Sequence, residues 1–475
     1  MRIAIAASEA APFVKTGGLG DVLQALPAEL SRITGNEIVL FLPYYKRIKY
    51  HSDTPVTFVG SFSMGLSWRE QYVGLFKLKS RKKKLQVYFI DNEYYFGRDS
   101  VYGDYDDGER FAFYSKAVLA CMNYIGFEPD ILHCHDWQTA LIPVYFRALY
   151  QNRWPSARLV FTIHNVEYQG KADPTFFEDT IGLPAEYKDI LTFDGCLNFM
   201  KGAIAVSDRV TTVSKTYSQE LKYPYYAHGL DSVLAGCGEK LTGITNGIDV
   251  DVYNPQTDTA LAANFSAKDL KGKLDDKRAL QKELGLNEAP DVPVMAMVTR
   301  LVGHKGIDLL TYILHRLMDR QVQLVIVGTG DRMYEQLLSG MAASYPGRVS
   351  MNLRFDPKLA SRVYAGSDIY LMPSKSEPCG LSQLIAMHYG TVPVVNATGG
   401  LKDTVSPYNP QSKDGRGFNF QSYNADDFLA AIDRAITLYY NDKKAWCDLM
   451  RTDMEFDCSW KTPAQEYMAL YQSLL

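Results

Sequence analysis

Several stretches of the chain set charged or hydrogen-bonding residues beside glycine or proline at spacings that suit recognition of a phosphorylated sugar. In PFVKTGGLGDVLQALP, 12–27, Lys15 precedes Gly17, Gly18 and Gly20. Glycines let the backbone approach a ligand closely, a helix starting near Gly20 offers free N–H groups to an anion, and Lys15 adds a mobile positive charge. Leu23 occupies the third position of a G-x-G-x-x-G fingerprint, and no G-K-[ST] ending follows, so neither a dinucleotide loop nor a nucleoside-triphosphate loop fits. A plain tight turn is the structural alternative. In TRLVGHKG, 299–306, Arg300 and Lys305 flank a short strand-to-helix turn. Two cations at that spacing can clamp a diphosphate and neutralise the charge that grows as it leaves; otherwise they are solvated surface charges.

In PSKSEPCGLSQLIAMHYG, 373–390, Pro378 stops strand geometry, Gly380 permits close approach and an apolar helix follows. The amides around Cys379, Gly380, Leu381 and Ser382 are then free to hold a phosphate. Glu377 has two readings: a carboxylate that caps this helix, or, since a phosphate would take the same donors, a group turned towards a sugar hydroxyl. Cys379 reads as a small filler rather than a nucleophile. HCHDWQTALIP, 133–143, brings His133, His135 and Asp136 to a strand end, and FTIHNVEYQG, 161–170, brings His164 to another. His133 and His135 share one strand face without a tetrahedral partner set elsewhere, so metal binding is the weaker reading. Hydrogen bonding to sugar hydroxyls suits Asp136 and His164 better.

The elements that must position these loops alternate short β-branched runs with amphipathic stretches, the pattern of βα units around parallel sheets. Strands are expected at 2–8, 37–43, 86–92, 130–136, 158–165 and 209–214, and again at 293–300, 323–328, 368–374 and 392–396. In open α/β sheets the functional loops lie at the carboxyl ends of such strands, which is where the candidates fall. The length of 475 residues exceeds what one core sustains, so two domains are expected, with a boundary near 240–255 where LTGITNGIDVDVYNP gives way to a polar segment. The basic run KLKSRKKKLQ, 77–86, reads as a solvated hairpin turn and sheet edge. A net charge of −4 argues against nucleic-acid or membrane-surface partners. With no long apolar run and with seven scattered cysteines free of C-x-x-C spacing, a cytoplasmic protein with reduced thiols is expected.

Taken together, KTGGLGDV, HCHDWQTALIP, TIHNVEYQG, the Arg300/Lys305 loop and SEPCGLSQ followed by TGGLKDTV resemble bacterial glycogen synthases and plant starch synthases. The likeness runs from Met1 to the closing SWKTPAQEYMALYQSLL. The resemblance implies an α/β fold of two Rossmann-like domains of the GT-B glycosyltransferase type with an interdomain active-site cleft. It implies an acceptor-side domain at 1–243, a nucleotide-sugar domain at 244–457, and a helix at 458–475 crossing back to the first. It also implies transfer of glucose from ADP-glucose or UDP-glucose to an α-1,4-glucan (glycogen or malto-oligosaccharide), with retention of configuration and without metal or other cofactor.

By the same resemblance Lys15, Arg300 and Lys305 meet the diphosphate, with Gly17 and Gly18 in the glycine loop, while Asp136, His164, Asn246 and Glu377 surround the glucose. The backbone at Cys379, Gly380 and Leu381 belongs to the substrate site. Phe355 falls near the nucleobase, where relatives often carry tyrosine, and Gln138 stands where many carry histidine. A retaining reaction ordinarily wants a carboxylate nucleophile. Glu377 and Asp136 are both open to that role, but front-face attack, with the leaving phosphate taking the acceptor proton, is the preferred reading. Another GT-B enzyme, such as a sucrose- or trehalose-forming transferase, and a non-catalytic glucan-binding protein are the alternatives.

Overall fold

A computed structural model describes residues 1–51, 53–80, 84–354 and 356–475, which divide into two compact units. The first comprises Met1–Asn246 with Trp460–Leu475, the second Gly247–Ser459. The strands of the first unit are β1 (Arg2–Ala6), β2 (Glu37–Pro43), β3 (Val56–Leu66), β4 (Arg69–Leu78), β5 (Leu85–Asp91), β6 (Ile131–His135), β7 (Arg158–Ile163), β8 (Lys171–Ala172), β9 (Thr192–Phe193), β10 (Cys196–Asn198), β11 (Arg209–Thr212) and β12 (Leu241–Gly243). Its main sheet has the order β12-β11-β7-β6-β1-β2-β5-β4-β3, and β8-β10-β9 form a small second sheet. From β12 to β5 every pairing is parallel; β4 and β3 add an antiparallel hairpin at one edge.

Parallel strands covered on both faces need continuous apolar sequence, which explains why RIAIA and EIVLFLP are legible as strands. β3 is mostly exposed along its length, so it offers no apolar run and was not foreseen. The basic run at 77–86 is not at a sheet edge: Lys77 and Leu78 end β4, Leu85 and Gln86 begin β5, and β3 supplies the edge. Positions 81–83 of that run lie outside the described residues. The last helix, Lys461–Gln472, buries Ala464, Tyr467, Met468 and Tyr471 in the core of the first unit.

The second unit contains β13 (Val294–Val298), β14 (Gln323–Val327), β15 (Val349–Asn352), β16 (Ile369–Met372), β17 (Val392–Asn396) and β18 (Phe418–Phe420). They form one parallel sheet in the order β15-β14-β13-β16-β17-β18. Each unit therefore has a topological switch point, between β1 and β6 in the first and between β13 and β16 in the second. There the following loops diverge to opposite faces and leave a crevice for ligand. Among the described residues no helix is long and apolar enough to cross a membrane.

Candidate functional site

In the first unit the loops after β1 and β6 leave the switch point side by side. The helix of the glycine loop begins at Gly18, ahead of the expected Gly20, and runs to Arg32. Gly17 has extended backbone (φ −155°), which any residue adopts, and a Cβ built there would meet nothing within 4 Å. Its value is the open space in front of it. Gly20 is the tight position: a Cβ would come within 3.2 Å of the Lys15 Cα. Lys15 itself is exposed, its Nζ 2.7 Å from Asp21 Oδ1. The loop is held from beneath by Glu9, only 3% exposed, whose carboxylate accepts from the Thr16 amide, from Thr16 Oγ1 at 2.7 Å and from Tyr102 OH at 2.7 Å.

Asp136 follows β6 directly. Its backbone lies at φ 59°, ψ 179°, a region that costs a non-glycine residue about 1–3 kcal/mol and is tolerated where surrounding contacts over-determine it. Those contacts are the amides of His164, 2.7 Å, and Asn165, 3.3 Å, both donating to Asp136 Oδ1. The strain therefore joins the loop after β6 to the loop after β7. Burial pushes the Asp136 carboxyl up to about 7, against the lowering pull of the His164 and Asn165 amides. His164 Nε2 lies 2.9 Å from His135 Nδ1, and burial drops the His164 imidazole to about 3. Asn246 is 6% exposed and its Oδ1 is buried without a hydrogen-bond partner. Gln138 Oε1 is likewise buried and unpartnered.

In the second unit the loops after β13 and β16 bring Lys305 and Glu377 together, with Nζ 2.6 Å from Oε2. Glu377 is 6% exposed, and the same oxygen accepts from Ser374 Oγ at 2.9 Å. The carboxylate is thus tied across to Lys305 and not laid over the helix Ser382–His388, so the capping reading does not describe it. Arg300 is exposed and has no ion-pair partner among the described residues. Gly380 has φ +73°, a conformation that favours glycine, and a Cβ there would press on the end of the Gln383 side chain. Cys379 is buried as a filler and Leu381 stands at the helix start. Phe355 lies outside the described residues. Among the described residues no group of three or more His, Cys, Asp or Glu is arranged to hold a metal ion, and His133 and His135 spend their shared face on each other.

The profile of the starch synthase catalytic domain matches residues 2–236, and that of glycosyl transferases group 1 matches 276–446. Along 479 aligned residues the chain is 46% identical to a glycogen synthase of Bacillus cereus, covering 100% of both. The chain belongs to the glycogen and starch synthase family. A glycogen synthase of Geobacillus stearothermophilus is 45% identical, with 100% of this chain and 98% of the relative covered. The catalytic domain of starch synthase IV from Arabidopsis thaliana, bound to ADP and acarbose, superposes with a TM-score of 0.92 at 35% identity, over 100% of this chain and 99% of that one. A sucrose-phosphate synthase from Thermosynechococcus elongatus, at TM-score 0.62 and 17% identity over 100% and 98%, shares the GT-B fold alone. The protein is accordingly a glycosyltransferase of the GT-B fold.

For this family member the motif reading missed three supporting residues, Glu9, Ser374 and Tyr102. Only Glu9 left a trace, a carboxylate placed just beyond the first strand. Asp136 yields a pH prediction. Its folded pKa, about 7, exceeds the ordinary 3.8, so the stability it contributes is complete below 3.8 and is lost as pH rises through about 7. Asp136→Asn keeps an acceptor for the two amides and does not titrate. Denaturant midpoints should show wild type losing stability relative to Asp136→Asn between about pH 4 and pH 7 and no further above that. A constant gap would mean that Asp136 titrates as an ordinary carboxylate.

Proposed function

We propose that this synthase-family chain transfers glucose from a nucleotide-glucose, ADP-glucose or UDP-glucose, to the non-reducing end of an α-1,4-glucan with retention of configuration. The observation that carries the reading is the Lys305–Glu377 pair, 2.6 Å apart at the switch point of the second sheet, with Arg300 exposed on the same loop as Lys305. Arg300, Lys305 and Lys15 neutralise the diphosphate as it leaves, an electrostatic contribution preorganised before reaction. Asp136, His164 and Asn246 take the sugar hydroxyls, and the unpaired Asn246 Oδ1 is an acceptor in want of a donor.

The carboxylates support front-face attack over a covalent intermediate. Glu377 has one oxygen engaged by both Lys305 and Ser374, which weakens it as a nucleophile, and Asp136 has Oδ1 held in place by two amides. In that route the C1–O bond to phosphate breaks with its electron pair going to the phosphate. The acceptor hydroxyl oxygen bonds to C1 from the same face, and its proton passes to a phosphate oxygen. Glu377 stabilises the positive charge growing at the ring.

Nucleotide release from ADP-glucose and from UDP-glucose, each with and without glycogen, tests the reading. Glycogen-dependent release together with lengthened chains is expected. Glucan binding without release from either donor would leave a binding protein, and release only with a small-sugar acceptor would leave a different transferase. Activity is further expected to persist in excess chelator, because fixed cations perform the neutralisation. Complete loss with chelator, restored by Mg²⁺, would refute that.

A further inference from the structure

The sugar-binding role proposed for His164 depends on which ring nitrogen carries its proton, and the structure supplies a residue that decides this. His135 is fully buried on β6. Its Nδ1 lies 2.9 Å from His164 Nε2, and its ring centre lies 4.0 Å from that of His133. Its other nitrogen, Nε2, is buried with no hydrogen-bond partner. His133 by contrast is bonded at both nitrogens, Nδ1 to Tyr471 OH at 2.7 Å and Nε2 to Thr162 Oγ1 at 2.6 Å. The neighbour that packs His135 in place is thus itself anchored to the last helix and to β7.

One proton occupies the contact between two neutral rings. If it sits on His164 Nε2, neutral His135 must carry its own proton on Nε2, where an N–H would be sealed from any acceptor. If it sits on His135 Nδ1, the buried Nε2 is only a bare lone pair, and His164 carries its proton on Nδ1. Orphaned buried donors are rarer than under-used acceptors, so the second arrangement is favoured. A shared imidazolium is disfavoured, since burial holds His164 near 3 and His135 well below its ordinary value. His164 Nδ1 makes no hydrogen bond among the described residues, and His164 is a partly exposed residue.

We propose that His135 is a positioning residue that donates from Nδ1 to His164 Nε2 and so locks His164 as a neutral Nδ1–H donor. The inference rests on the reading that His164 meets the glucosyl group. In that setting His164 gives a hydrogen bond to a sugar hydroxyl oxygen and is not a base, which leaves the acceptor proton to the phosphate. A second histidine behind it thereby determines what the first can recognise.

Long-range proton–nitrogen spectra of the full chain with ¹⁵N-labelled histidine rings read the tautomers directly, the His164 signals being assigned by their loss in His164→Asn. Nδ1–H at His164 and Nδ1–H at His135 are expected. Nε2–H at His164 would overturn the proposal whatever the activity. His135→Asn keeps an amide N–H near the Nδ1 position and is expected to hold the His164 tautomer and kcat within about threefold. His135→Leu removes the donor, and is expected to lower kcat about tenfold or more and to give mixed His164 tautomers. Wild-type kcat with an unchanged tautomer in His135→Leu would also overturn the proposal. Should His135→Leu fail to fold, the wild-type spectrum and the His135→Asn variant still decide. A wild-type chain with the expected tautomers but no glucosyl transfer would refute the functional reading and not the positioning.

Discussion

Lys305→Ala and Arg300→Ala are each expected to lower kcat about 10²–10³-fold, the scale of losing one preorganised charge stabiliser. The two variants should nevertheless differ in stability. Lys305 is the ion partner of a nearly buried carboxylate, so its removal leaves Glu377 uncompensated, at a cost on the order of 3 kcal/mol. Arg300 is exposed and has no ion-pair partner among the described residues, so Arg300→Ala should unfold at the wild-type denaturant concentration. The double variant should fall short of the product of the two single effects, because both cations are assigned to one diphosphate. Near-normal turnover in both single variants would reduce them to ordinary surface charges. Equal stability losses would contradict the difference in their surroundings.

Glu377→Gln is expected to lower kcat on the order of 10²-fold or more while the chain stays folded. The substitution is nearly isosteric, and the amide oxygen can still accept from Lys305 and from Ser374. What it removes is the negative charge beside the reacting sugar, together with the charge-assisted part of the contact to Lys305. A helix-capping Glu377 would behave otherwise, losing about 0.5–2 kcal/mol of stability with turnover largely kept. The structure gives that behaviour no contact to act through, since the carboxylate faces Lys305 and Ser374. A destabilised Glu377→Gln protein turning over at the wild-type rate would show Glu377 to be only a holder for Lys305. Measuring kcat for Glu377→Gln and Lys305→Ala beside their double variant separates the two cases. A holder acts wholly through Lys305, and its loss adds nothing once Lys305 is gone.

The central strands of both sheets were legible because a parallel strand covered on both faces must be apolar along its buried length, as RIAIA and EIVLFLP are after their first residue and VMAMV is throughout. The hairpin β3–β4 was not, because an exposed edge carries no such run. The second unit's weaker strands, VSMN and FNF, are too short and too mixed to stand out from loop. The glycine loop was legible as a loop, but its helix begins two residues earlier than expected, and the need for glycine lies at Gly20 and not at Gly17.

The sequence by itself determined which chemistry the chain carries to its strand ends: a lysine with glycines after β1, an aspartate after β6, two cations after β13, a glutamate after β16. Residue type and local periodicity are enough for that, since they act within a few positions along the chain. The tertiary structure alone decided how those groups use one another. Lys305 meets Glu377 across 72 positions, His135 meets His164 across 29, and Tyr471 reaches His133 across 338. These pairings follow from the order of strands in each sheet and from where the last helix packs. Both are set by crossover connections and core burial over the whole unit, and they leave no periodic mark on the residues they join.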